Sequence, residues 1–182
     1  KAQKSAAFLL SMAQDILDFS RLENRELVLV RERFQLSDVL ETLNRLWAQD
    51  GPVSRPTITT HVASGVSDHY SGDASRLVQA LFNLLWVAVQ SSDSGSLVLQ
   101  VVHLERDRDF ENLLLTVRSQ AVDPNCHGPT SDERQTQATC GVVEQQRSMD
   151  WHLALCKQLA LLMGGDLQAQ PDEDGRTVWG LK

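Results

Sequence analysis

GDASRLVQALFNLLWVAVQ, residues 72–90, is the stretch on which the fold turns. Leu77, Leu81, Leu84, Leu85 and Ala88 recur at steps of three and four, so Asp73 to Gln90 reads as an amphipathic helix with those residues inward. Strands are predicted on either side of it. Thr57 to Val62 is β-branched, and Leu97–Leu104 and Phe110–Val117 are long apolar runs joined by the charged turn Glu105 to Asp109.

Working outward, Leu27–Val30 reads as a short strand. Ser37 is placed to cap the next helix, with Asp38 in the first turn where the helix dipole favours a carboxylate. Val39, Leu40, Leu43, Leu46 and Trp47 give that helix, 37–48, one apolar face, and Gly51, Pro52 and Pro56 mark the loop after it. Asp123 to Ser148 is polar and reads as a long loop, of the kind that is functional or without order. A last helix, Asp150 to Met163, is stopped by Gly164 and Gly165, and a hairpin over 166–170 and 176–181 turns at Asp174 and Gly175. Helices interleaved with strands in this order predict an α/β, two-layer sandwich with a mixed sheet over residues 27–182.

Residues 1–24 stand apart as one further helix. Ala2, Ser5, Leu9, Met12, Ile16 and Phe19 form one apolar stripe, and Ala6, Leu10, Ala13 and Leu17 form a second beside it. Spacing alone suits a helix on its own domain equally well. Two stripes, however, are what a helix with two neighbours in a four-helix bundle needs.

Composition narrows the function classes. The chain has 182 residues, enough for one sizeable domain with an appendage. It carries 24 acidic and 17 basic residues, a formal net charge of −7, with no basic stripe, which argues against a nucleic-acid partner or an anionic lipid surface. Cys126, Cys140 and Cys156 fall in no paired spacing, so neither a disulfide scaffold nor a zinc site is expected, and a reducing compartment fits. No apolar run reaches the length of a membrane span.

Three segments carry a resemblance. Asp15-Ile-Leu-Asp-Phe-Ser-Arg-Leu-Glu23 looks like the end of the second dimerisation helix of bacterial sensor histidine kinases. Gly72 to Leu85 is similar to the helix that bears that family's asparagine box, and Leu153 to Leu167 resembles the helix and strand that close its fold. The resemblance covers nearly the whole chain, in the family's order. It implies a second dimerisation helix over 1–26 and an ATPase-type domain of Bergerat-like fold over 27–182. It also implies a cytoplasmic module of a membrane-anchored sensor in the bacterial inner membrane.

The same resemblance lets the family's nucleotide motifs be checked position by position. Asn83 matches the first asparagine of the asparagine box and reads as a helix residue facing solvent. The second asparagine, the family's Mg²⁺ ligand, falls on Val87, which has no oxygen for a hard cation, and the basic phosphate contact falls on Gln90. In the adenine-binding box Ser119 replaces the acid, while Ala121 and Asp123 replace glycines. In the second glycine box, matched by Ser148 to His152, the expected glycines are missing and His152 stands at the last of them. Losing the adenine acid and the Mg²⁺ ligand together would weaken ATP at least about a hundredfold, at roughly 1.5–3 kcal/mol per charge-assisted bond.

These substitutions lead to the expectation of no catalytic residue, no metal and no bound ATP or Mg²⁺, with the pocket collapsed or filled by side chains such as Trp151. None of His61, His69, His103, His127 and His152 has the setting of the family's phosphoacceptor. The chain is then a signalling module of a two-component, hybrid-type kinase, acting through a homodimer, or a heterodimer with another histidine kinase, or through a response regulator, with Leu9, Met12, Ile16 and Phe19 as the contact face. An active kinase that phosphorylates an upstream His, and a phosphotransfer protein on the same scaffold, are the alternatives. The sequence upstream of Lys1 would distinguish them.

Overall fold

The computed structural model describes residues 26–50, 56–90, 96–106, 111–120, 142–171 and 177–182. The elements are β1 (Glu32–Gln35), α1 (Leu36–Asp50), β2 (Thr57–Val62), β3 (His69–Gly72), α2 (Ala74–Gln90), β4 (Ser96–Arg106), β5 (Glu111–Gln120), α3 (Val142–Leu162), β6 (Leu167–Pro171) and β7 (Thr177–Leu181). A five-stranded sheet runs β2-β4-β5-β7-β6, and β1 pairs with β3 in a separate two-stranded ribbon. β2 lies parallel to β4, and the other pairs are antiparallel, so the sheet is mixed as expected.

The core follows from period-two alternation on the strands and the apolar stripes of the helices. On β4, Leu97, Leu99 and Val101 are buried in one cluster with Leu115 and Val117 of β5. Against them pack Leu36, Val39, Leu40 and Leu43 of α1, Leu81, Leu84 and Leu85 of α2, and Leu155 and Leu159 of α3. The helix expected from Leu77, Leu81, Leu84, Leu85 and Ala88 is α2 itself, with all but Leu77 buried and Leu77 packed against the core.

The structure corrects three expectations and adds one strand. Leu27–Val30 is not a strand; β1 begins at Glu32 instead. Leu27 is buried, but Val28 and Val30 are exposed, and the backbone is held at one point, where the Val30 N–H donates to Asp73 Oδ2 at 3.0 Å. Ser37 is not the cap of α1. Asp68, thirty-one residues away, accepts from the Ser37 N–H at 2.8 Å and from its hydroxyl at 3.0 Å, while the Leu36 N–H donates to the Asp68 carbonyl at 2.7 Å. The ribbon strand β3 had no period-two apolar signal and was not expected. The last helix starts at Val142, eight residues earlier than the apolar pattern suggested, so the polar tract after Asp123 is helical at its end.

At its other end α3 stops where expected. Gly164 has φ +84°, and the Gly165 N–H donates to the Ala160 carbonyl at 2.8 Å, the reverse turn that closes a helix. A side chain at Gly165 would meet the Lys182 carbonyl at 1.7 Å, so only glycine lets β6 leave the helix there.

Candidate functional site

α2 is the element that positions the site. Asp73 caps it, its Oδ1 accepting from the Arg76 N–H at 3.0 Å. Ala80 and Asn83 lie on the side that meets α3. The Cys156 thiol of α3 donates to the Ala80 carbonyl at 3.4 Å, and burial pushes that thiol up to about 12.

One turn farther along α2 the two helices are joined by side chains. Asn83 is 2% exposed, so it does not face solvent as its sequence position suggested. Its Nδ2 donates to the Gln79 carbonyl at 2.8 Å, which leaves Oδ1 as the acceptor. His152 Nδ1 lies 2.5 Å from that Oδ1. With Asn83 Oδ1 able only to accept, the proton of the neutral imidazole sits on Nδ1. The imidazole also stacks on Trp86, with ring centroids 5.5 Å apart and planes 6° from parallel. Burial lowers the pKa of His152 below 6.5, so the neutral ring is the form that this setting favours. Trp86 is in turn braced edge-on by Trp47 of α1 at 6.3 Å, and Trp47 meets Phe82 at 5.7 Å.

The other described positions singled out from sequence lie on α2, β5 and α3. Val87 is wholly buried and presents only hydrocarbon. Gln90 ends α2 and is half-buried. Ser119 is buried on β5, opposite Leu97 of β4. Ala121 and Asp123, and the whole contact face Leu9, Met12, Ile16 and Phe19, lie outside the described residues. Trp151, named as a filler, is half-buried, and it is its neighbour His152 that reaches Asn83. The structure therefore brings together Asn83 and His152, 69 residues apart, with Trp86 as the third member. Trp86 had gone unremarked in the sequence because it lies inside the asparagine-box helix at a position without a ligand role. Among the described residues, no three His, Cys, Asp or Glu side chains gather as a metal site.

No family profile matches the chain. The signal transduction histidine-protein kinase BarA of Escherichia coli K12 is 28% identical over 184 residues, covering 97% of this chain and 20% of that protein. A histidine kinase from Burkholderia phymatum superposes with a TM-score of 0.56 at 27% identity, over 99% of this chain and 82% of that one. The homologues of this chain are sensor histidine kinases. A further solved histidine kinase, ShkA in complex with AMPPNP, shares the fold with a TM-score of 0.66 at 23% identity, over 97% of this chain and 36% of that one. The chain spans about a fifth of the length of the curated histidine kinase that it matches. α2 spans the stretch that resembles the family's asparagine-box helix, and the run matched to its second glycine box, Ser148 to His152, lies within α3. The clasp joins these two elements. No helix among the described residues is long and apolar enough to cross a membrane.

Proposed function

We propose that this chain is a signalling module of a two-component, hybrid-type histidine kinase that works without binding ATP. Its output is carried by dimerisation and by contacts with another kinase or a response regulator. In this reading residues 1–26 supply a dimerisation helix and residues 27–182 a degenerate ATPase-type domain within an anchored bacterial parent.

One observation carries the reading: the imidazole of His152, standing where a glycine is expected, is bonded to Asn83 and stacked on Trp86. Residue 152 lies within α3, where backbone N–H groups are committed to the helix and not open to phosphate, and its imidazole fills the space toward Asn83. Asn83 Oδ1 and Nδ2 are both engaged within the protein, so the one asparagine retained from the box is already bonded to its neighbours. Val87 adds no oxygen where Mg²⁺ would be held. The residues thus do not fit Mg-ATP, and no phosphoryl-transfer step is derived for this chain.

The test is calorimetric titration of the chain with Mg-ATP and Mg-ADP, paired with autophosphorylation assayed on the full-length parent. No saturable heat and no phosphorylation are expected. Saturable binding in the micromolar range would overturn the reading.

A further inference from the structure

Nearer the start of α2 than the clasp, a groove of about 350 Å³ opens between α1, α2 and β1. Its walls are mainly apolar, with Phe34, Val39, Leu46 and Val78 among them, and Asp38 is the one charged side chain of the described lining. The groove has no role in the nucleotide reading. Its volume lies at the lower end of the range for built binding sites, which suits one or two large side chains.

We infer that this groove receives residues 16–19 of the same chain, with Ile16 and Phe19 as the inserted pair. Where the described chain begins is the first reason. The Val30 N–H is tied to Asp73, and the next two residues, Ala74 and Ser75, line the groove. The described chain thus begins four residues before this tie. Eleven residues separate Phe19 from Val30, a reach of about 16 Å if helical and about 36 Å if extended. A tether of that length gives an effective concentration on the order of millimolar, which a free partner would have to exceed.

The chemistry of the segment is the second reason. Ile16 and Phe19 are three apart and share one face of a helix, so both can enter one groove. Arg21 and Arg25 flank them on the side nearer the tie, and they complement Asp38. Val28 and Val30, which lie in sequence between the segment and Asp73, are exposed. The same stripe is the one proposed for dimerisation, so docked and paired forms exclude each other. The groove is thereby an internal competitor of the dimer, and this holds whether or not nucleotide binds.

Disulfide trapping tests the inference on the whole chain. Cys126 and Cys140 are changed to Ser; Cys156 is kept, because its buried thiol, pushed up to about 12, stays unreactive. Phe19→Cys is combined with Ser75→Cys at the exposed groove rim, or with Lys157→Cys on the exposed side of α3 as the control. Under mild oxidation of dilute protein, the 19–75 bridge should form within one chain at least about tenfold faster than the 19–157 bridge. Thr42→Trp, which fills the groove from its half-buried wall, should remove that advantage. Equal rates for the two pairs, or no effect of Thr42→Trp, would overturn the inference. So would a 19–75 bridge that forms only between chains, with a yield that rises with protein concentration.

Discussion

His152 ties α3 to α2 through its side chain, its ring bonded to Asn83 and stacked on Trp86. Its removal has two costs, because His152→Ala leaves the buried Asn83 Oδ1 without a donor and strips one face of Trp86. The expected loss in urea unfolding is about 1–3 kcal/mol, most of it from the unsatisfied amide oxygen. The sign of the pH effect follows from the lowered pKa. The unfolded chain takes a proton near 6.5, and the folded His152 does so only at lower pH. Its contribution is therefore fully present above about 6.5 and is lost as pH falls through the window down to the folded pKa. A denaturation series from pH 8 to 5 should show stability falling in the wild type more steeply than in His152→Asn. Parallel curves would show that this ring does not titrate in the fold. The sequence, read beside its resemblance, did put Asn83 and His152 in nucleotide motifs. It gave no sign that they touch, because contacts across 69 residues leave no periodic trace, and an Asn among leucines looks solvent-facing until its partner is known.

Helix ends and strand edges are where the elements departed from their patterns. Asp73 shows why: one carboxylate caps α2 and also fixes the chain at Val30. Asp73→Ala should cost about 1–2 kcal/mol, typical of a lost cap, and should raise hydrogen exchange at both Val30 and Arg76. Protection unchanged at Val30 would show that the tie is not formed in solution. Asp68 plays the same part for α1. The Ser37 N–H, then its hydroxyl and the nearby His69, hold the Asp68 carboxyl below its usual range. Asp68→Asn should therefore weaken the fold above pH 4, with the difference from wild type vanishing in stronger acid. Long-range caps of this kind are invisible to a reading that looks three residues along the chain, which is why Ser37 was taken for the cap. Leu27–Val30 had strand composition but no partner strand, and a strand exists only where its backbone is paired. The start of α3 was missed for the opposite reason. Val142 to Met149 contains good helix formers without an apolar stripe, and periodicity does not register them. By contrast α2, β4 and β5 were legible because burial on one face repeats at the period of the element.

For the whole molecule, the layer order and the mixed sheet follow from those strong elements, and the kinase homologues share them. The proposed dimerisation through residues 1–24 shows itself in the mass of the assembly. In the full-length parent, Ile16→Asp would bury an unpaired charge in the proposed helix bundle, and analytical ultracentrifugation should show the mass falling to that of one chain. Unchanged mass would remove this face from the dimer. Thr42→Trp should leave the dimer intact or strengthen it, since it blocks only the competing groove. The central claim, however, concerns the clasp between α2 and α3, and calorimetry reads it most directly. Titration of the whole chain with Mg-ATP to millimolar concentration is expected to give no saturable heat, with Asn83 and His152 already bonded to each other. A saturable isotherm in the micromolar range would contradict the account.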